Sequence, residues 1–112
     1  MNSHLPPSIV EHALSTIRAL QPLVAAIARR DRDLASQVRR AASSVVLNLE
    51  EGFGHSGGNA RLRFESALGS AREAHAGVRI ATAWGFVPEA TAAPALVSLN
   101  HLVARIHGLA LR

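Results

Sequence analysis

Apolar residues recur at three- and four-residue steps along nearly the whole chain, and glycine and proline cut the pattern into four blocks. The first block spans about 8–30, with Ile9, Ala13, Ile17, Leu20, Val24 and Ile27 as its stripe. The second spans about 32–51, with Leu34, Val38, Ala41, Val45 and Leu49. The third covers 59–84 through Phe64, Ala67, Ala71, Ala74, Val78 and Ala81, and the fourth 88–111 through Ala92, Leu96, Leu99, Val103, Ile106 and Ala110. No segment alternates with period two, so strands are not expected. Four amphipathic helices with short connections predict one all-α domain, an antiparallel up-down-up-down four-helix bundle covering residues 1–112.

Local signals sharpen the boundaries. Pro7 and Ser8 suit a helix start, and Asp31 or Asp33 can cap the second helix. Pro22 removes a backbone donor inside the first helix, which predicts a kink or short break. Gly52 is expected to end the second helix in a left-handed conformation, Asn59 to cap the third and Gly85 to end it. Between them, Gly52 to Gly58 reads as a flexible loop.

The chain has 112 residues, of which 48% are hydrophobic. That suffices for a core, but so small a domain buries a modest share of its surface and gains from self-association. Leu62, Ile80 and Trp84 fall off the third helix's core stripe, with Gly69 and Gly77 assigned to the same outer side, and Leu47 points away from the second stripe. These six residues are the candidate homo-oligomer contact. A polar row of Gln37, Arg40, Ser44, Asn48 and Glu51 flanks the second stripe. Its expected role is structural, with Glu51 accepting from the Asn48 amide.

Twelve arginines and no lysine face eight acidic residues, a formal net charge of +4. Such a balance reflects either base composition or a phosphate-binding surface, because guanidinium forks grip phosphates. Candidate phosphate contacts are Arg39 and Arg40 on the second helix and Arg61, Arg72 and Arg79 along one flank of the third, with further arginines at 29, 30 and 32. With one Trp, three Phe and no Tyr, little base readout is expected.

Other chemistries find no support in the pattern. The absence of Cys removes disulfides and thiolate sites. The six histidines form no HExxH or i, i+4 pair, so neither a metal nor another cofactor is expected, and His75 reads as a hydrogen-bonded core residue. No phosphate-loop order or Ser/His/Asp constellation is present. An enzyme using Glu51 with Glu73 or His75 is a distant option. No apolar run reaches membrane length and no signal peptide is visible, so the expected location is the cytoplasm with no membrane partner.

The stretch from Gln37 to Gly54, QVRRAASSVVLNLEEGFG, carries a distinctive order of residues. Ala67 to Glu73 (ALGSARE) and Ala83 to Phe86 (AWGF) follow at suitable distances. Together they resemble the signatures of the 23S ribosomal RNA intervening-sequence proteins, a group that includes the accessory variability protein of diversity-generating retroelements. The likeness covers about residues 31–87. It implies a four-helix bundle assembling as a pentameric ring, with an RNA- or DNA-associated, non-enzymatic role. A protein scaffold, for example for a reverse transcriptase, is the alternative. Asn48, Glu51, Gly52, Gly69, Ser70 and Glu73 match the signature and are implied to be structural or assembly positions. Glu50 departs from the small residue usual before the Glu-Gly pair, and arginine replaces the lysine common on relatives' surfaces.

Overall fold

A computed structural model describes residues 8–111 and contains four helices: α1 (Ile9–Ala28), α2 (Arg32–Phe53), α3 (Gly57–Ala83) and α4 (Glu89–Ala110). No strand occurs among the described residues. Pro7 and His4 lie outside them.

Caps explain most of the boundaries. The Ser8 side chain accepts from the Glu11 amide at 3.0 Å, and Asp31 Oδ1 accepts from the Leu34 amide at 2.9 Å, each satisfying an orphan donor of the first turn. At the end of α3, Gly85 takes φ +76°, the Phe86 amide reaches back to the Ala81 carbonyl, and the Gly85 amide donates to that of Thr82. This paired bonding closes the helix as expected.

Three boundary expectations need correction. α1 continues through Pro22 as one helix, so of the two expected outcomes the short break does not occur. Both Pro22 and Arg18, whose carbonyl loses its donor, face solvent, where water can take the vacated bond. α2 does not end at Gly52 but continues to Phe53, and Gly54 caps it through bonds to the carbonyls of Glu50 and Glu51. The glycine-rich stretch is mostly helical, because α3 starts at Gly57 with Ser56, not Asn59, at the cap position.

The core departs from the predicted stripes in α1 and α4, where Leu23, Ala95 and Leu102 are buried and Ile9, Ile17, Val24, Leu96 and Val103 are only half-buried. Every stripe residue of α2 and α3 is buried, and Leu20, Ile27, Leu99, Leu102 and Ile106 are at most 2% exposed. Fully burying a side chain of this size contributes about 1.5–3 kcal/mol. One cluster gathers around Leu23, Ile27, Val38, Val78 and Leu99, and a second around Leu49, Phe64, Leu102 and Ile106. In the second, Phe53 meets Phe64 edge to face at 5.2 Å between centroids.

At two places where α2 meets α3, a glycine leaves room for a side chain of the other helix. A Cβ on Gly77 would lie 2.5 Å from Val38 Cγ2, and one on Gly52 would strike the Phe64 ring. Gly77 is therefore buried inside the protomer, which removes it from the candidate oligomer contact. Gly69 stands in open space on the exposed side, as expected. The paired positions 52 with 64, 44 with 70 and 38 with 77 rise on one helix as they fall on the other.

These environments predict opposite outcomes for the same substitution. Gly77→Ala should destabilise the protein by about 1–3 kcal/mol, because stiff, buried Val38 must move. Gly69→Ala should stabilise it by about 0.5–1 kcal/mol through helix propensity alone. Urea denaturation of the two variants checks the pair.

Candidate nucleic-acid interface

Two of the candidate arginines, Arg39 and Arg79, line separate grooves. Arg39 joins Arg18, Gln21 and Ser43 around an apolar groove of about 370 Å³ between α1 and α2, floored by Ile17, Leu20, Val24 and Ala42. Arg79 lines a second groove, between α3 and α4, with His75, Thr82, Glu89, Leu96 and Asn100. Helical spacing sets Arg61, Arg72 and Arg79 on one flank of α3 with about 10 Å of axial rise from Arg72 to Arg79. All three are exposed, as are Arg39 and Arg40. Arg61 lies 3.6 Å from Glu65, an exposed pair that contributes little. No ion pair engages Arg72 or Arg79 among the described residues.

Within the polar row of α2, Ser44 and Asn48 are hydrogen-bonded, but the bonding differs from the expectation. Asn48 Nδ2 donates to the Ser44 carbonyl and to Ser44 Oγ, both at 2.9 Å, and Ser70 Oγ donates to Ser44 Oγ at 3.0 Å. Ser44 thus ties α2 to α3, with Asn48 holding it. Glu51 takes no part and instead pairs with Arg63 across the seam at 3.2 Å. Glu73 lies ten residues beyond Arg63 on the same helix, about 15 Å away along the axis. The Glu51 and Glu73 carboxylates therefore do not converge as an acid/base pair would.

Sequence reasoning missed a second polar seam. Thr16 is 2% exposed on α1 and gives its proton to the His12 carbonyl, so the Ser98 hydroxyl on α4 donates to it at 2.6 Å. Nearby, Arg105 Nη1 approaches His12 Nδ1 at 3.1 Å, an arrangement that needs the ring nitrogen as acceptor. A Thr on the buried side of α1 was the available signal, because a buried hydroxyl requires a partner.

His75 also needs correction. It is half-buried beside the α3/α4 groove, and no hydrogen bond engages it among the described residues. Burial, then the charge of Arg79, lowers its pKa below the ordinary 6.5. Burial likewise lowers that of His12, reinforced by Arg105 and more weakly by His101, against a backbone hydrogen bond at Ser98 that raises it. No cluster of three or more metal-ligating side chains exists among the described residues.

Of the proposed contact surface between copies, Leu47 (67% exposed), Leu62 (62%) and Ile80 (46%) do lie open. Leu62, Gly69, Glu73 and Ile80 fall on one face of α3 by helical spacing. Trp84 is 70% exposed but has company: its ring stacks on Phe86, with centroids 6.5 Å apart and planes 17° from parallel. The Arg30 guanidinium sits 5.3 Å from the centre of the Phe86 ring.

The molecule is thus an all-α four-helix protein with polar ties at two helix seams and unpaired arginines on its surface. The family model described as 23S rRNA-intervening sequence protein matches residues 9–108, and the chain belongs to that family. No curated protein and no solved structure matches the chain significantly. No helix among the described residues is long and apolar enough to cross a membrane.

The two histidines give the fold a pH dependence of definite sign. Each binds its proton more weakly in the folded chain than in the unfolded one. Above pH 6.5 the ring is mostly neutral in both states and contributes no slope. As pH falls below 6.5 the unfolded chain takes up more protons, so stability falls. Denaturation midpoints should therefore decline on acidification from that point, and the decline should be shallower in the His12→Gln variant.

Proposed function

We propose that this protein is a non-enzymatic accessory that binds nucleic-acid phosphates, and that its protomers, up-down-up-down antiparallel bundles, work as a homo-oligomeric ring in the cytoplasm. The observation that carries the reading is the α3 flank where Arg72 and Arg79 stand exposed without carboxylate partners. Arginines left unpaired on a rigid helix are preorganised for phosphate oxygens, and the net charge of +4 adds long-range attraction. Family membership supports an RNA context, and the family resemblance suggests five copies. Self-association would use the open apolar residues Leu47, Leu62 and Ile80. The same residues favour a second reading, a scaffold for a protein partner such as a reverse transcriptase, in which nucleic acid plays no direct part.

Contacts to phosphates release counterions, so binding must weaken steeply with salt. A labelled RNA should bind at low ionic strength with a negative log–log salt slope. Arg72→Glu with Arg79→Glu should weaken binding by about tenfold or more and reduce the slope by about two, near one per lost phosphate contact. Absence of binding at low salt, with a partner protein co-purifying after nuclease treatment, would favour the scaffold. Light scattering gives the particle mass as a multiple of the 11.8 kDa protomer, and one protomer alone would end the ring reading.

A further inference from the structure

We infer that Trp84, Phe86 and Arg30 form a stacking platform for an unpaired base of a single-stranded nucleic acid. The inference rests on the nucleic-acid reading above and reassigns Trp84 from contact between copies to contact with the ligand.

An indole that is 70% exposed leaves a large apolar surface in water, and its stacking on Phe86 covers only part of it. Yet the ring is not loosely placed. It follows the end of α3, where the Gly85 turn with φ +76° brings Phe86 back alongside it. Phe86 is half-buried and packs against the core, so it anchors the pair. Arg30, from the link between α1 and α2, closes the stack over the Phe86 ring. Two chain segments thus build a preordered aromatic surface with a cation at its side.

The chemistry suits one class of ligand. Every base has a π-face, so an open aromatic ring binds unpaired bases with little regard to sequence. The adjoining segment carries exposed Arg29, Arg30 and Arg32, none ion-paired among the described residues, beside exposed Asp33 and capping Asp31. Flexible guanidinium groups near a stacking ring match a base together with its flanking phosphates. A duplex keeps its bases stacked on one another and offers the ring no free face.

Trp84 is the single tryptophan of the chain, so its fluorescence reports on the platform alone. A short oligothymidylate, added to the full-length protein at low salt, should quench this emission as it binds. An abasic chain of equal length and a duplex should bind through the arginines without comparable quenching. Trp84→Ala should weaken the anisotropy-measured affinity for oligothymidylate by about fivefold to a hundredfold, the range for losing one stacked base, and leave duplex affinity unchanged. Circular dichroism confirms the helices of the variant. Binding without quenching, or equal quenching by the abasic chain, overturns the platform and leaves phosphate binding standing. Emission that shifts with protein concentration and ignores oligonucleotide places Trp84 between copies and overturns it too. No binding of any of the three chains at low salt overturns both readings together.

Discussion

The close approach of α2 and α3 is the constraint on which the rest depends. The core face of α3 is built largely of alanines, which bury little area each, so the helix must come near its neighbour to exclude water. Glycines at 52 and 77 allow that approach, and Phe64 and Val38 occupy the space they leave. The Ser70–Ser44 hydroxyl bond then discriminates between registers, because a shift by one turn would break it, while Asn48 holds Ser44 from within α2. On the far side, Thr16 and Ser98 do the same for α1 and α4.

This division of labour settles what is left for the surface. Carboxylates are few, and two of them are engaged by Arg61 and Arg63. Most of the other described arginines therefore face water at separate places, on the α3 flank, by the groove between α1 and α2 and in the link at residues 29–32, while Arg105 reaches His12. Under the proposed nucleic-acid reading, the distributed guanidinium groups and the Trp84–Phe86 stack are the features that would meet a long, flexible polyanion. Membership of the 23S rRNA-intervening sequence protein family is consistent with that character.

Much of the candidate interface was legible from residue types. Arg72 and Arg79 share a flank by arithmetic alone, and the structure leaves both exposed. Partnership was not legible. Glu51 and Asn48 share one helix flank in sequence, whereas the partner of Glu51 is Arg63 from the next helix, 3.2 Å away. Gly77 was placed on the outer side with Gly69, although eight residues rotate a helix position by about 80°. The Trp84–Phe86 stack escaped notice because the sequence shows two aromatics separated by a glycine, and only a left-handed turn brings the rings together.

The sequence by itself determined the four helices, the buried stripes of α2 and α3 and most of the caps, because helical periodicity and capping act over three or four residues and need no knowledge of neighbours. Tertiary structure decided what lies between helices: which glycine admits a neighbouring side chain, which hydroxyls pair, and which cations are neutralised. Those choices depend on distances between residues far apart in the chain, and such distances exist only once the helices have packed.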